Sequence, residues 1–223
     1  MDRKLLVQAL TKLFVGLLMV ALLVFAPAGT LHYWHGWLFL AVLFFPMILL
    51  GVVLLMKNPE LLRKRLQTKE KEGEQRKVVA FSGMMFLAGF LLCGLNVRFG
   101  WYLLPKWAAL MASVVFLIGY GMYGEVMREN AFLSRTVEVQ EGQQLIDTGL
   151  YSVVRHPMYA ATVLMFLSMP LILGSAVSFL VFLIYPLILS KRIRNEEEVL
   201  CRGLLGYAEY CKRVKYRMIP YLW

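Results

Sequence analysis

The chain has 223 residues, of which 60% are hydrophobic and only 17% are charged, and its mean hydropathy is positive. This composition lies outside the usual range of soluble domains and predicts a protein embedded in a lipid bilayer. The formal net charge of +10 could indicate a nucleic-acid partner, but the basic residues are confined to segments that flank apolar runs. Attraction to anionic lipid headgroups is the simpler interpretation, so we expect no nucleic-acid binding.

The first part of the chain contains apolar segments that are each close to the roughly 20 residues a helix needs to cross the bilayer core. The first segment follows Arg3 and Lys4 and could be mistaken for a signal peptide. It is longer than an ordinary signal core, however, and its removal would spoil the charge pattern described below. We therefore predict four membrane-spanning helices: Leu5 to Ala26, Trp34 to Met56, Val78 to Leu95 and Trp107 to Val126.

The last apolar block, from Met158 to Leu189, is too long for one span. Its 32 residues would extend about 48 Å as a continuous helix, whereas the hydrocarbon core is about 30 Å thick. Pro170, Gly174 and Ser175 predict a break near its middle. The block is therefore expected to form a tight hairpin of two short spans, Met158 to Leu173 and Ala176 to Leu189.

The distribution of Lys and Arg predicts the orientation, because positively charged loops stay cytoplasmic. With the N-terminus inside, the inner segments hold 22 of these residues and the outer segments hold 2. The predicted fold is all-α: a polytopic integral membrane protein with about six transmembrane helices, the last two a short hairpin, and a cytoplasmic C-terminal helix. Residues 1–127 form an N-terminal four-helix region, and residues 128–223 form a second region of loop, hairpin and helical tail.

The three cysteines do not support a disulfide framework. Cys93 lies in a predicted span, while Cys201 and Cys211 belong to the reducing side. The sequence contains neither a C-x-x-C motif nor a cluster of His and Cys with the spacing of metal ligands. We therefore predict no bound metal.

Polar residues are concentrated in segments on the predicted cytoplasmic side. Lys57 to Lys77 mixes both signs of charge and contains "PELLRKRL", which is typical of a surface helix within a solvated connector. Two further segments flank the hairpin, since residues 128–157 enter it and residues 190–223 leave it. Because the hairpin returns the chain to the same face, these two segments must lie close together and could assemble a site.

The entering segment ends in "RHPMY", directly before the hairpin. Its earlier part contains "TVEVQ" followed by Gly142 and Gly149, which predicts irregular or short extended structure. Pro157 is a natural first residue of a helix. The amides of Met158 and Tyr159 would then be free to face an anionic group.

The sequence leaves two interpretations of this motif open. In one, Arg155 and His156 reinforce the positive end of the helix as part of a site. In the other, Arg155 is a membrane anchor, His156 a neutral cap and Tyr159 an interfacial aromatic residue.

The leaving segment continues as an amphipathic helix with one apolar stripe. Glu197 lies close to that stripe, and Glu196 flanks it one turn from Arg192. Carboxylates beside an apolar stripe are costly unless a cation or donor meets them, so both are candidates for a site, whereas Glu198 points to solvent. The stripe consists of Ile193, Leu200 and Leu204.

The last part of the chain also has amphipathic character. Its tyrosines could lie at headgroup level in the membrane interface, or they could belong to the site. The residues concerned are Tyr207, Tyr210, Arg217 and Pro220.

These motifs resemble those of the isoprenylcysteine carboxyl methyltransferase (ICMT) family, together with the related phospholipid methyltransferases and their bacterial homologues. The resemblance covers roughly Asn130 to Pro220 and is carried by "NAFLSRTV", "TGLYSVVRHPMY", "RIRNEEEVL" and "GYAEYCKRVKYRMIP". "NPELLRKR" is similar to a loop of the bacterial members, and "LLGY" in place of "FGxxY" also places the chain with them. These enzymes lack a Rossmann domain, in agreement with the absence of a G-x-G-x-x-G loop.

The resemblance implies a membrane methyltransferase that binds S-adenosyl-L-methionine in a cytoplasm-facing pocket of residues 128–223. Arg192 would face the methyl acceptor, while Glu197 and Arg217 match positions typical of the family and are candidate catalytic residues whose roles stay open. The implied cofactor-binding residues are Gln143, Gln144, Leu145, Ile146, Tyr151, His156, Pro157, Met158, Tyr159 and Glu196.

The implied acceptor is lipophilic and enters from the membrane through a lateral opening between spans. Carboxyl O-methylation of the isoprenylcysteine type is expected first, with methylation of a phospholipid or of a small N, O or S nucleophile as the alternative. Some membrane sterol and enone reductases that use NADPH have a related C-terminal region, so an oxidoreductase is a rival of another class. A non-enzymatic membrane scaffold or small carrier is a further rival.

Overall fold

The computed structural model of the chain describes residues 3–66, 73–133 and 139–223, without the side chains of residues 64, 65 and 73–78. Within these residues the regular structure is helical, and no strand is present. The α-helices in chain order are α1 (Arg3–Ala28), α2 (Trp34–Lys57), α3 (Pro59–Leu66), α4 (Gly73–Arg98), α5 (Lys106–Glu129), α6 (Pro157–Ile172), α7 (Ala176–Phe182), α8 (Tyr185–Gly203) and α9 (Tyr207–Arg213). A short 3-10 helix, Gly149–Ser152, precedes α6.

Five helical segments of the described chain are long and apolar enough to cross a membrane. The helices α1, α2 and α5 qualify over their whole length, α4 qualifies over Val79–Arg98, and α7 with α8 qualifies over Ala176–Gly203. The helix α6 is apolar but shorter, with 16 residues. An all-helical membrane protein is therefore confirmed, whereas the sixth crossing, the division after residue 127 and the cytoplasmic orientation stay predictions.

The connector after α2 folds in part as the predicted surface helix. Asn58 caps α3, because its side-chain oxygen accepts a hydrogen bond of 3.1 Å from the amide of Leu61. Leu61 and Leu62 are buried, so the apolar side of α3 faces the bundle. Lys12 donates to the carbonyl of Leu66 and thereby satisfies the last turn of α3.

The hairpin turns close to the predicted position, but Pro170 does not break the helix. Pro170 lies inside α6, and the turn comes after Ile172, where Gly174 adopts a φ of +74° that favours glycine. Ser175 then caps α7, because its hydroxyl accepts a hydrogen bond of 3.2 Å from the amide of Ser178. The predicted span from Ala176 to Leu189 lies within the candidate membrane span Ala176–Gly203, but it is divided between two helices.

The second half of the hairpin is divided into α7 and α8 around Leu183 and Ile184. Pro186 lies at the start of α8 and has no amide to donate. Its ring would clash with the carbonyl four residues earlier, at Phe182, which is where α7 ends. The break is therefore a local effect of proline.

The hairpin turn is held by both loops at that end of the bundle. The hydroxyl of Tyr33 donates to the carbonyl of Leu173, and the amide of Leu104 donates to the carbonyl of Gly174 over 2.9 Å. Leu103 forms an isolated antiparallel bridge with Ser175. These bonds satisfy backbone groups that would otherwise be costly near lipid.

Close packing of the helices depends on small residues at two crossings. A Cβ atom on Gly94 of α4 would lie 2.6 Å from the Cβ of Pro27 and 2.9 Å from the amide nitrogen of Ala28, so α1 and α4 touch through backbone. On α5, a Cβ on Gly119 would lie 3.0 Å from the carbonyl oxygen of Ala161 in α6. The helix α6 is thereby packed closely on α5, with its first residue, Pro157, at the polar end of the bundle.

Candidate functional site

The segments before and after the hairpin meet through their backbones. The amide of Arg155 donates to the carbonyl of Tyr216 over 2.9 Å, and the amide of His156 donates to the carbonyl of Arg217 over 2.7 Å. The tail therefore runs along the residues that lead into α6. This confirms the prediction that the hairpin brings the two segments together.

Glu197 is the centre of an ionic cluster between these segments. Its Oε1 atom accepts a hydrogen bond of 2.7 Å from the Nε of Arg155 and lies 3.3 Å from the Nε2 of His156. Its Oε2 atom accepts a hydrogen bond of 2.8 Å from the Nε of Arg217. Only 8% of Glu197 and 9% of Arg155 are exposed, so this ion pair is buried, whereas the side chain of Arg217 is 33% exposed.

The interpretation of Arg155 as a membrane anchor is wrong. The residue is only 9% exposed, and its Nη1 atom donates to the carbonyls of Val214 at 2.7 Å and Lys215 at 2.9 Å. Burial alone would lower the pKa of Arg155, but the hydrogen bond and the charge of Glu197 raise it above the ordinary arginine value. A snorkelling anchor would instead keep its guanidinium in water.

His156 occupies the N-cap position of α6, but its side chain makes no capping hydrogen bond. The prediction that the amide of Tyr159 is free is wrong, because this amide donates to the carbonyl of His156 over 3.1 Å. The amide of Ala160 donates to the same carbonyl over 3.2 Å. The first turn of α6 is therefore closed partly by its own backbone, as in a 3-10 turn.

Tyr159 connects the two charged residues predicted on the flank of α8. Its hydroxyl donates to the Oε2 of Glu196 over 2.5 Å and accepts from the Nε of Arg192 over 2.9 Å. The guanidinium of Arg192 lies 6.0 Å from the centre of the Tyr159 ring. Tyr159 is therefore not an interfacial aromatic residue but a bridge between the guanidinium of Arg192 and the carboxylate of Glu196.

The apolar stripe of α8 is confirmed. Ile193 is fully buried and Leu204 is buried, while Leu200 is half-buried. Glu198 is exposed and lies 3.6 Å from Arg202, as expected for a solvated carboxylate. The two neighbouring carboxylates, Glu196 and Glu197, thus face the protein as predicted, although toward different partners.

A cavity of about 930 Å³ lies next to Tyr159. At its polar end it is lined by all the residues predicted to hold the cofactor and by the predicted acceptor-facing residue. Glu197 and Arg217 are not among the lining residues, although Arg155 and His156, which contact Glu197, are. The predicted residues in the lining are Gln143, Gln144, Leu145, Ile146, Tyr151, His156, Pro157, Met158, Tyr159, Arg192 and Glu196.

The same cavity continues into the helical bundle. Side chains from α1, α2, α4, α5, α6 and α8 line this part, and they are apolar or carry only hydroxyl groups. The cavity therefore joins a polar end to an apolar end in one continuous space. The lining residues at the apolar end include Met19, Leu43, Met47, Phe86, Tyr120, Tyr123, Met165, Phe166, Met169 and Tyr185.

The cavity is also lined by Asn130, Tyr207 and Tyr210, to which the sequence assigned no role in binding. Asn130 donates to the hydroxyl of Tyr151 over 2.9 Å, and the hydroxyl of Tyr210 donates to the carbonyl of Tyr151 over 2.7 Å. Tyr207 and Tyr210, which the sequence left open between the membrane interface and the site, line the cavity and are 3% and 2% exposed. The signal in the sequence was the i, i+3 spacing of these tyrosines, which places both on one face of α9.

Residues 134–138 lie outside the described residues. They include the second half of "NAFLSRTV" and the first three residues of "TVEVQ", so the extended structure expected there stays a prediction. Among residues 3–66, 73–133 and 139–223, no three His, Cys, Asp or Glu side chains gather as a metal site. The expected absence of a metal stays a prediction.

Comparison with known proteins defines the class to which this site points. Residues 110–202 match the family model "Isoprenylcysteine carboxyl methyltransferase (ICMT) family", a stretch that includes α6, α7 and most of α8 but less than half of the chain. This match supports a membrane methyltransferase. The chain is also 30% identical, over 129 residues, to the Delta(14)-sterol reductase TM7SF2 of Mus musculus. That alignment covers 52% of this chain and 31% of the relative, so the chain spans about a third of the length of the curated relative it matches.

Proposed function

We propose that the chain belongs with the bacterial-type members of the ICMT family and is an integral membrane methyltransferase that uses S-adenosyl-L-methionine. Its methyl acceptor is lipophilic, and carboxyl O-methylation of the isoprenylcysteine type is the reaction we favour. The observation that carries the proposal is a cavity that has a charged end at Tyr159, Arg192 and Glu196 and an apolar end inside the bundle. A water-soluble cofactor and a lipophilic acceptor can meet only in a space that joins these two environments.

The polar end suits the chemistry of the cofactor. S-adenosyl-L-methionine carries an ammonium, a sulfonium and a carboxylate, and Glu196 supplies a carboxylate that can meet a cation. Arg192 supplies a cation, and residues 143–146 supply backbone groups on the facing wall. The cavity volume of about 930 Å³ falls within the range of small-molecule sites.

When bound, S-adenosyl-L-methionine supplies an electrophilic methyl group for an in-line displacement. The chain itself has to position two reactants and exclude water. Arg192 would orient an acceptor carboxylate, and Tyr159 holds Arg192 and Glu196 at a fixed separation through its hydroxyl. A carboxylate nucleophile needs no general base, so none has to be found in the cavity.

An acceptor amine would need to lose a proton, and His156 and Glu197 are the predicted bases. Glu197 lies outside the cavity lining, and its two oxygens are occupied by Arg155, His156 and Arg217. These contacts favour a positioning role for Glu197 and Arg217. His156, which lines the cavity, is the better candidate for the base in that alternative reaction.

The similarity to a sterol reductase keeps an NADPH-dependent oxidoreductase as the second candidate. NADPH carries several phosphate charges and needs several cations to bind them. Within the described lining of the cavity, the arginines are Arg155 and Arg192. Arg155 is paired with Glu197, and Arg192 is bridged by Tyr159 to Glu196, so this charge balance favours the methyltransferase.

Ligand binding to the purified protein separates the candidates. We expect S-adenosylhomocysteine to raise the thermal unfolding temperature, NADPH to have no such effect, and Glu196→Ala to abolish the stabilisation. Glu198→Ala is the matched control, because it removes an exposed carboxylate two residues away. Stabilisation by S-adenosylhomocysteine that persists in Glu196→Ala contradicts the assigned site. Stabilisation by NADPH alone indicates the reductase, and stabilisation by neither compound indicates a scaffold or carrier.

The acceptor is identified by its product. Membrane lipid extracts incubated with the protein and methyl-labelled S-adenosyl-L-methionine should yield a labelled, organic-soluble compound. A base-labile methyl ester supports carboxyl methylation, whereas a base-stable label indicates an amine, ether or thioether product.

A further inference from the structure

One hydroxyl at the polar end of the cavity has no hydrogen-bond partner among the residues that the structure describes. It belongs to Tyr207, the first residue of α9, and its oxygen atom is fully buried. The side chain lines the cavity. A buried hydroxyl without a partner destabilises a protein, so this group is suited to a partner that arrives with a ligand.

The neighbouring tyrosine of α9 provides the contrast. The rings of Tyr207 and Tyr210 lie 5.7 Å apart, and both side chains line the cavity. Tyr210 donates its hydroxyl to the carbonyl of Tyr151 and so fixes α9 to the loop before α6. The hydroxyl of Tyr210 has a partner inside the protein, whereas that of Tyr207 has none among the described residues.

The position of Tyr207 lies between two parts of the predicted cofactor shell. Gly206 turns the chain from α8 into α9 with a φ of +81°. It lies opposite Leu145, because a Cβ atom built on Gly206 would be 3.7 Å from the Cδ2 atom of that residue. Burial, followed by the charge of Glu197, raises the pKa of the Tyr207 hydroxyl above its ordinary value.

We propose that Tyr207 is a cofactor-binding residue whose hydroxyl forms its hydrogen bond with a polar atom of the S-adenosyl nucleoside in the cavity. The proposal rests on the proposed function and gives a specific role to a tyrosine that the sequence left open between the membrane interface and the site.

The test compares Tyr207→Phe with Tyr210→Phe in the full-length protein. For Tyr207→Phe we expect S-adenosylhomocysteine to bind about tenfold more weakly by calorimetry, the usual effect of losing one hydrogen bond. Without ligand, its unfolding temperature should equal or exceed that of the wild type, because the deleted hydroxyl has no partner among the described residues. For Tyr210→Phe we expect a lower unfolding temperature without ligand, because its bond to Tyr151 is lost.

The outcomes separate this proposal from the proposed function. If the wild type binds S-adenosylhomocysteine and Tyr207→Phe binds it equally well, the role of Tyr207 is overturned and the methyltransferase proposal stands. A lower unfolding temperature of ligand-free Tyr207→Phe also overturns the role, since it reveals a partner within the protein. A wild type that does not bind S-adenosylhomocysteine overturns both.

Discussion

The guanidinium Nε of Arg155 donates a hydrogen bond of 2.7 Å to Glu197, a residue 42 positions further along the chain. This bond joins the residue that leads into α6 to the middle of α8, across the whole hairpin. Arg217 reaches the other oxygen of the same carboxylate from the tail. One buried carboxylate thus fixes the relative position of the three segments that surround the polar end of the cavity.

Replacing this carboxylate should destabilise the protein strongly. Glu197→Gln removes the charge that compensates buried Arg155, and breaking a buried pair by removing one partner typically costs about 3–5 kcal/mol. Thermal unfolding in detergent measures the effect. Glu198→Gln is the control, because that exposed residue pairs with Arg202 on the surface, where such pairs contribute about 0–1 kcal/mol. Equal unfolding temperatures for the two variants would contradict the central role of Glu197.

Removing the hydroxyl of Tyr159 should weaken ligand binding. In Tyr159→Phe, Glu196 and Arg192 lose their shared partner, and hydrogen bonds to charged groups contribute about 1.5–3 kcal/mol each. We expect affinity for S-adenosylhomocysteine to fall about tenfold or more, as measured by calorimetry. Tyr221→Phe deletes the same hydroxyl at a residue that is 89% exposed and should leave affinity unchanged. An unaltered affinity in Tyr159→Phe would show that the bridge does not serve binding.

The crossing of α1 and α4 should not tolerate a methyl group. A Cβ at Gly94 would meet Pro27 and the backbone of Ala28, so Gly94→Ala forces the helices apart at a cost of about 1–3 kcal/mol. Gly16→Ala, on α1, meets nothing within 4 Å and should leave stability unchanged or slightly raised. The comparison of their unfolding temperatures tests the close contact. A stable Gly94→Ala protein would mean that the crossing is looser than described.

Cysteine labelling tests the orientation predicted from the basic residues. Cys201 is exposed and Cys93 is fully buried, so a membrane-impermeant maleimide should react chiefly with Cys201. If the tail is cytoplasmic, labelling should occur in inside-out vesicles and not in intact cells or spheroplasts. Cys201→Ser should lose most of the label. Labelling from the outside would reverse the predicted topology.

The features that the sequence predicted well are those with a local cause. Pro157 starts α6 because proline needs no amide partner in the first turn, and Glu197 is buried because it lies on the apolar stripe of α8. The proximity of the segments flanking the hairpin follows from the turn at Gly174. The division of the second half of the hairpin into α7 and α8 also has a local cause, since Pro186 ends the preceding helix at Phe182. The clash of a proline ring with the carbonyl four residues earlier could have predicted this division.

The partners of the charged residues could not be predicted, because they depend on tertiary packing. A basic residue beside an apolar run looks the same whether it faces headgroups or a buried carboxylate, and Arg155 faces the carboxylate. The amphipathic tail has the same ambiguity, since tyrosines at that spacing suit a membrane interface as well as a loop. Tyr210 packs on the loop because Tyr151 offers it a backbone carbonyl. Nothing in the sequence indicated that Tyr207 would be buried without such a partner.

The helix α6 is held by hydrogen bonds at both of its ends. At its start, His156 is bonded to the tail through Arg217, and beyond its last turn the carbonyls of Leu173 and Gly174 are held by the loops at the other end of the bundle. A shift of α6 along its axis would break the hydrogen bonds at both ends at once. A ligand larger than the cavity would therefore be accommodated by rotamer changes along α6, and Met165 and Met169, which both line the cavity, are flexible side chains suited to such changes.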